Sequence, residues 1–393
     1  MKRTHTPNKT TVVSLLVVVA LLVLGMVVQA RSFNGAGATA PKADAAAVIS
    51  VEIALAEQEA ALAFWTRERL KAAQPLEMPK QAGPAVVDRF GLADADVVGP
   101  YGFVAAGRPA ADADAVARAA YPQDWLEVED LEGLETLDAL GPEALEMPTG
   151  TSQTYTSYKI NTLGSVQRVY PHRWVGRLSF TTPGGTSYCS GAAISGNVML
   201  TAAHCLYDST NNRWYSNWVF TPAYRNGNAP FGTFAAQTCW VLTSWVNLSG
   251  SYAINTWAPH DVGVCKMGKN SAGQTLNTAV GWMGREWNHS YIRHVHNMGY
   301  PFRNYNNAVI TDAGKYLVTC VAETFRQASE VRGMGCNWGG GISGGPWVRG
   351  YAQNVVDGYA TGVNSGIFVG TQNIYGARFN SNNIVVLCSA AGC

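Results

Sequence analysis

One serine in this chain lies within a run of glycines, a setting suited to nucleophilic catalysis. The run covers Gly339–Pro346, with Ser343 near its centre. A serine hydroxyl attacks a carbonyl only when a base removes its proton and nearby donors hold the oxyanion that forms. Neighbouring glycines let the backbone turn tightly, present N–H groups to that oxyanion and leave room for a substrate. Ser343 is therefore the candidate nucleophile.

The candidate base is a histidine in a restrained position. His204 lies 139 residues before Ser343, after the apolar segment Val198–Thr201 and directly before Cys205. A disulfide from Cys205 to Cys189 would close the loop that carries the histidine. Such restraint favours a general base, which must stay within hydrogen-bond reach of its nucleophile. A lone histidine is more often a buried structural residue, but Thr-Ala-Ala-His-Cys with a second cysteine at this spacing favours catalysis.

These two motifs resemble those of the chymotrypsin-like serine proteases, and the resemblance covers about residues 165–393. It implies that His204 is the general base and that Ser343 is the nucleophile. It also implies that the backbone N–H groups of Gly341 and Ser343 form the oxyanion hole. The resemblance further implies that the reaction needs no cofactor.

Asp261 is the candidate for the family's third catalytic residue, an aspartate that opens an apolar strand between the two motifs. It precedes the segment Val262–Val264. The other carboxylates between the motifs lie too close to His204 or lack that context; they are Asp208, Glu286, Asp312, Glu323 and Glu330. In this role Asp261 orients the imidazole and stabilises the imidazolium. The alternative is an aspartate that only initiates a turn before a strand.

The residue before the serine separates two branches of the family. The digestive enzymes have an aspartate there, which pairs with the new N-terminal ammonium after zymogen cleavage, whereas this chain has Ile342. Isoleucine cannot make that ion pair, so this activation switch is excluded. Ile342, Gly339 in place of a cysteine, and the tripeptide Gly299–Pro301 are similar to the bacterial glutamyl-endopeptidase-like branch.

The predicted substrate pocket carries no charge at its key positions. The residue six positions before the nucleophile, at the base of the pocket in this family, is Asn337, so strong selection for Lys or Arg is not expected. Glutamate-selective relatives have a histidine where this chain has Asn364, which leaves glutamate preference open. The residues expected to contact substrate are Asn337, Val363, Asn364 and Ser365. The segment around Asn364 is expected to pair with the substrate as an added strand.

The composition after about residue 150 indicates the elements that position these residues. Gly, Asn, Ser, Thr, Tyr and Trp replace Glu and Ala, with short apolar runs such as Val198–Leu200 and Ile384–Leu387. Such runs between Gly and Asn turns predict many short strands. The predicted fold is all-β, with two packed six-stranded antiparallel barrels. His204 and Asp261 would come from the first barrel and Ser343 from the second.

All eight cysteines follow residue 188, which predicts disulfides and an oxidising compartment. Sequence order suggests the pairings Cys189–Cys205, Cys239–Cys265, Cys320–Cys336 and Cys388–Cys393. No Cys-x-x-Cys pair and no His/Cys cluster of ligand spacing occurs, so a metal site is not expected.

The first 150 residues predict a leader in two parts. Basic residues precede an apolar run over residues 12–28, as in a secretory signal peptide ending near Ala30; the alternative is a retained membrane anchor. Residues 31–150 have 20 acidic and 9 basic residues, and residues 151–393 have 7 and 16. The residues of this acidic pro-segment predict that it is mainly helical or partly disordered. The charge contrast predicts that it faces the basic part as an inhibitor or folding aid. The alternative is a leader that only aids solubility.

The sequence thus predicts a secreted serine endopeptidase made as a precursor. Its parts are the signal peptide 1–30, the pro-segment 31–150 and the protease domain 151–393. A polypeptide substrate would acylate Ser343, and water would hydrolyse the acyl-enzyme. No basic run indicates nucleic acid as a partner, and a membrane is a partner only if the N-terminal segment is retained. The alternatives are an inactive binding protein on the same fold and an esterase or broadly specific hydrolase.

Overall fold

Most of the apolar runs between Gly and Asn turns form strands, as predicted. The computed structural model describes residues 47–82, 99–125, 154–160, 164–249 and 253–393. All of them belong to one unit, Ala40–Cys393. The predicted signal peptide, the acidic run over residues 126–146 and the junction near residue 150 lie outside the described residues, so these remain predictions.

The described part of the leader combines strands with helices. Its elements are β1 (Val48–Glu52), α1 (Leu55–Phe64), α2 (Arg67–Ala72), β2 (Gln74–Pro75), β3 (Lys80–Gln81), β4 (Gly102–Val104) and α3 (Ala113–Ala120). The first of these is a strand inside a stretch expected to be helical. Its β-branched residues Val48, Ile49 and Val51 explain the difference, because such side chains fit a pleated surface.

The first half of the protease region forms a closed antiparallel barrel. After β5 (Thr156–Lys159), its strands are β6 (Val175–Thr182), β7 (Gly185–Ile194), β8 (Val198–Thr201), β9 (Tyr207–Asp208), β10 (Arg213–Trp214), β11 (Ser216–Pro222), β12 (Phe234–Leu242) and β13 (Gly263–Met267). Hydrogen-bonded neighbours follow the order β12–β11–β6–β7–β8–β13, and β13 pairs again with β12. The six-stranded barrel is thereby closed, as predicted. Strands β9 and β10 form a separate hairpin.

The second half forms two sheets. Its strands are β14 (Gly284–Trp287), β15 (His294–Gly299), β16 (Val318–Glu323), β17 (Phe325–Ala328), β18 (Val331–Gly335), β19 (Pro346–Arg349), β20 (Tyr359–Val363), β21 (Gly366–Phe368) and β22 (Asn373–Ala377). One sheet has the order β4–β14–β20–β19–β15–β16–β5 and the other β17–β18–β22–β21–β3. Strand β16 packs against β18 and β20 against β22, around an apolar core that includes Trp347 and Met334. Among the described residues no strand pairing joins these two sheets, so a second closed barrel remains a prediction. Strands from earlier in the chain, β3, β4 and β5, lie at their edges.

The remaining helices are short. They are α4 (Thr243–Val246), α5 (Ile254–Trp257), α6 (Leu276–Val280) and α7 (Ile384–Ala391). The prediction of a strand for the run Ile384–Leu387 is wrong, because a four-residue apolar run does not distinguish a buried strand from a buried helix. Asn383 caps this helix by accepting the N–H of Ile384 at 2.6 Å, and Gly392 ends it with a φ of +73°. In the described ranges, no helix has both the length and the apolar content needed to cross a bilayer.

The described leader is held to the protease region mainly by backbone pairing and burial. Strand β1 extends the barrel by pairing antiparallel with β12 over its whole length. Trp65 and Leu70 are buried in the core that the leader shares with the barrel. Opposite charges also meet, since Arg173 donates to Asp114 at 2.7 Å, but Asp114 is 56% exposed. Exposed ion pairs contribute little to stability, so charge is a secondary attachment.

Three loops bring the predicted catalytic residues to one place. His204 lies in a short 3-10 turn after β8, and Asp261 follows another 3-10 turn before β13. Strands β8 and β13 are paired neighbours, so the two turns are adjacent. Ser343 lies in the loop between β18 and β19. Ser190 of β7 donates its N–H to the carbonyl of Ser343 at 2.7 Å, which ties that loop to the barrel.

Candidate active site

His204 and Asp261 form a buried, hydrogen-bonded pair. Asp261 is fully buried and His204 is 6% exposed. Asp261 Oδ2 and His204 Nδ1 are 2.7 Å apart, and Asp261 Oδ1 accepts the backbone N–H of His204 at 2.8 Å. Ser365 donates its hydroxyl to Oδ2, also at 2.7 Å. Three donors therefore satisfy a carboxylate that would be costly to bury alone.

This arrangement fixes the protonation of the imidazole. An ionised carboxylate can only accept hydrogen bonds, so Nδ1 of His204 carries a proton and donates it to Asp261. In the neutral ring the other nitrogen, Nε2, then has a free lone pair. Nε2 is buried and has no hydrogen-bond partner among the described residues. Such a nitrogen is suited to take a proton from a neighbouring hydroxyl.

Ser343 lies against the strand end that carries His204. The serine is fully buried, and its Oγ has no hydrogen-bond partner in the described part of the chain. The next residue, Gly344, has a φ of +76°, and a Cβ there would lie 2.1 Å from Thr201 Oγ1 and 2.6 Å from the carbonyl of Ser190. Only glycine permits this approach to the end of β8. The loop therefore holds Ser343 near the histidine while leaving both reactive atoms unengaged.

The N–H groups predicted to bind the oxyanion lie in a fixed turn and are available as donors. Within the described ranges, the N–H groups of Gly341 and Ser343 donate to no backbone carbonyl. Gly341 has a φ of +97°, and a Cβ there would lie 2.7 Å from the carbonyl of Tyr300. Ser190 fixes this turn by donating its hydroxyl to the carbonyl of Gly341 at 3.0 Å and by accepting the N–H of Tyr300 at 2.9 Å. The two donors can thus serve a developing oxyanion.

An amide network holds the residue before the nucleophile. Ile342 is fully buried, and its carbonyl accepts Asn364 Nδ2 at 3.1 Å. The same nitrogen donates to Asn297 Oδ1 at 2.8 Å, while Asn364 Oδ1 accepts from Asn297 at 2.6 Å and from Trp347 Nε1 at 2.7 Å. All four hydrogen bonds of the Asn364 amide are therefore made inside the protein. In this chain an uncharged network supports the position that an ion pair supports in the digestive enzymes.

Comparison with solved structures identifies proteases of similar architecture. The protease Anisep from Arthrobacter nicotinovorans has 28% sequence identity and a TM-score of 0.47, covering 56% of this chain and 95% of its own. A thermostable serine protease, AL20, from an extremophilic microorganism has 25% identity and a TM-score of 0.45, covering 56% and 97%. A Glu endopeptidase has 16% identity and a TM-score of 0.48, covering 63% and 100%. These neighbours are what the chain is similar to. The strand order itself bears out the all-β fold class with a closed six-stranded antiparallel barrel.

Sequence comparison gives a shorter match. No family model matches the chain. The extracellular metalloprotease of Bacillus subtilis (strain 168) is 27% identical over 117 residues, which are 29% of this chain and 33% of that protein. The chain thus spans about a third of the length of this curated relative.

One group in the six-stranded barrel has the composition of a metal site. Cys189, His204 and Cys205 bring their ligand atoms within 4.8 Å of one another. The two cysteine sulfurs are joined in a disulfide, so neither can act as the thiolate that binds a metal. The other disulfides, like this one, pair the cysteines in the order suggested from the sequence.

The four residues predicted to contact substrate have different surroundings in the folded chain. Asn337 is 3% exposed, and its carbonyl accepts the N–H of Tyr305 at 2.9 Å. Val363 is buried where β20 pairs with β19. The Ser365 hydroxyl is used by Asp261, and the Asn364 amide has no hydrogen bond left for a substrate. Their contact with substrate remains a prediction.

Sequence reasoning missed two members of the amide network, Asn297 and Trp347. Asn297 is fully buried within β15, and no sequence signal marks it, because the same strand also contains the polar residues His294 and His296. Its partner Asn364 lies 67 residues away, and that pairing has no local signature.

Replacing Asn364 with leucine should lower the free energy of unfolding by about 3 kcal/mol and kcat by about tenfold. Trp347 Nε1 and the Asn297 amide would lose their partners in the interior, and the carbonyl of Ile342 would keep only the N–H of Gly345. Denaturant unfolding and steady-state kinetics measure the two effects. The double variant Asn297→Leu with Asn364→Leu should be destabilised by less than the sum of the single changes, because each removes the other's partner. Additive losses would contradict a shared network.

Proposed function

We propose that the chain is a serine endopeptidase that acts through Ser343, His204 and Asp261. The observation that supports this most directly is the buried His204–Asp261 pair. Both carboxylate oxygens are occupied by hydrogen bonds from His204, which leaves Nε2 as a base with a fixed orientation. The unengaged Ser343 hydroxyl and the free N–H groups of Gly341 and Ser343 supply the other parts of an acyl-transfer site.

The proposed reaction follows from these roles. Ser343 Oγ attacks the carbonyl carbon of a peptide bond while its proton passes to His204 Nε2. The oxyanion accepts hydrogen bonds from the N–H groups of Gly341 and Ser343. The C–N bond then breaks as His204 returns the proton to the leaving amine, and Ser343 is left as an acyl ester. Water then attacks this ester as its proton passes to His204. The bond from the acyl carbon to Ser343 Oγ breaks, His204 returns the proton to Oγ, and the acid is released. Asp261 keeps its charge and stabilises the imidazolium in both halves.

The proposed biology is that of an exported precursor. We expect residues 1–30 to act as a signal peptide, residues 31–150 as a pro-segment and residues 151–393 as the protease domain. The four disulfides support an oxidising compartment. Ile342 supports placement near the glutamyl-endopeptidase-like branch, since it excludes the activation ion pair of the digestive enzymes. The substrate would be a polypeptide bound between the barrel and the second half.

Labelling with a fluorophosphonate probe tests the proposal. The protein recovered from the culture medium should be modified at Ser343, as seen by mass spectrometry of the active-site peptide, and Ser343→Ala should abolish this. His204→Ala should slow labelling strongly, because the hydroxyl loses its base. Folded protein that does not label would favour the inactive binding protein. Labelled protein that cleaves esters but no peptide mixture would favour an esterase.

A further inference from the structure

A short segment of the leader crosses the candidate active site. This segment, Gln74–Gln81, is called the strap here. Its first residues, in β2, pair parallel with Ser187–Tyr188 of β7 in the barrel. Its last residues, in β3, pair parallel with Ile367–Phe368 of β21 in the second half. The strap therefore bridges the two halves, and its second end pairs just after the segment around Asn364 that is predicted to pair with substrate.

Backbone hydrogen bonds fix both ends of the strap. The N–H of Leu76 donates to the carbonyl of Tyr188 at 2.9 Å, and the N–H of Ile367 donates to the carbonyl of Pro79 at 3.2 Å. The absence of a side chain on Gly366 permits the approach at the second end of the strap. A Cβ on Gly366 would lie 2.6 Å from the carbonyl of Pro79. The strap thus uses backbone groups that an extended peptide substrate would need.

The middle of the strap fills an apolar site. Met78 is only 1% exposed. It belongs to the apolar cluster that also contains Trp338 and Ile342 of the nucleophile loop and Ile367 of β21. An uncharged thioether suits such surroundings, whereas a carboxylate would be costly to bury there.

Charged side chains anchor the strap from the solvent side. Glu77 faces Arg303 Nε at 3.5 Å and Lys80 Nζ at 2.6 Å. Lys80 also donates to Asn307 Oδ1 at 2.7 Å. The carboxylate of Glu77 is 60% exposed, so these contacts position the strap more than they stabilise it.

The strap does not present a bond for cleavage. The N–H groups of Gly341 and Ser343 donate to no backbone carbonyl of the described residues, and these include the whole strap. The strap therefore lies beside His204, where Leu76, Glu77, Pro79 and Lys80 line the same surface pocket, without placing a carbonyl at the predicted oxyanion hole. A peptide bound in this way blocks the site and is not hydrolysed.

We propose that the strap is the inhibitory element of the precursor, with Met78 occupying the primary substrate pocket in a non-productive mode. This inference rests on the proposed function of the site. It assigns the inhibition to eight residues rather than to the overall charge of the leader. It also assigns an uncharged apolar character to the pocket that the substrate enters once the strap leaves.

Placing a charge at the centre of the strap tests this. In the full-length chain, Met78→Asp should increase the rate of fluorophosphonate labelling at Ser343 by at least about tenfold, because burial of the carboxylate opposes strap binding. The double variant Glu77→Ala with Lys80→Ala changes only partly exposed residues and should increase the rate by about threefold. Leu55→Asp is the matched control: it puts the same charge on the leader at a position that is 69% exposed, and its rate should equal that of the wild type.

Amide hydrogen exchange on the same variants in a Ser343→Ala background distinguishes a failure of the inhibitory strap from a failure of the proposed catalytic function. Met78→Asp should remove protection at Leu76 and Ile367, whose N–H groups form the end hydrogen bonds, and Leu55→Asp should not. Lost protection without faster labelling, or protection that survives Met78→Asp, overturns the inhibitory strap. No labelling in any variant, with protection lost in Met78→Asp, contradicts the proposed catalytic function and still supports occupation of the cleft by the strap.

Discussion

Replacing Ser343 with alanine should reduce kcat for peptide hydrolysis by about 10⁵- to 10⁶-fold. The reason is that no other described hydroxyl lies in a loop that also presents the free N–H groups of Gly341 and Ser343. Cleavage of a peptide mixture by the processed protein, followed by mass spectrometry, measures the loss. His204→Ala should cost a similar factor, and the double variant should be little worse than either, because the two residues act as one unit.

The Ser343→Ala variant should keep the stability of the wild type. Ser343 Oγ makes no hydrogen bond within the described residues, so its removal breaks no hydrogen bond there. Equal unfolding midpoints would show that the lost activity is chemical. Ser216→Ala is the control, because this serine is exposed at the start of β11 and should retain full activity. Activity that survives Ser343→Ala and is lost on chelation would instead indicate a metalloprotease.

The parts of the site that could be predicted are those encoded in short segments. His204 and Ser343 lie in motifs whose neighbours have steric reasons to be there: a disulfide-bonded cysteine beside the base and glycines around the nucleophile. Asp261 could be predicted for a similar reason, since it directly precedes an apolar strand. The barrel followed from short apolar runs between turn residues. Each of these inferences needs only information within about ten residues.

The parts that could not be predicted depend on contacts between distant segments. The Asn297–Asn364 pair joins β15 to the end of β20, and only the folded structure shows that it holds the carbonyl of Ile342. The strap has no turn signal, charge pattern or periodicity that indicates a cleft. Its composition is that of a connecting loop, and its position results from two-residue pairings with β7 and β21. The opposite charges of residues 31–150 and 151–393 do not indicate which residues meet.

Replacing Asp261 with asparagine should reduce kcat by about 10⁴-fold at neutral pH while leaving the fold intact. The backbone N–H of His204 donates to Oδ1, and it cannot be reoriented, so the amide oxygen of asparagine must take that position. The amide nitrogen then faces His204 Nδ1 and offers a donor where the carboxylate offered an acceptor. The imidazole responds by moving its proton to Nε2. In that tautomer Nε2 cannot accept the proton of Ser343.

Comparison with Ser365→Ala shows whether Asp261 sets the tautomer of the His204 ring or only positions that ring. Ser365 donates to the same oxygen, Oδ2, at 2.7 Å, but its removal leaves the carboxylate and the protonation of Nδ1 unchanged. Its cost should be about tenfold or less, as for the loss of one hydrogen bond to a charged group. Nitrogen NMR of the His204 ring should report a proton on Nδ1 in Ser365→Ala and on Nε2 in Asp261→Asn. If both variants keep the wild-type tautomer and lose activity equally, Asp261 only positions the ring, and its charge is not what makes His204 a base.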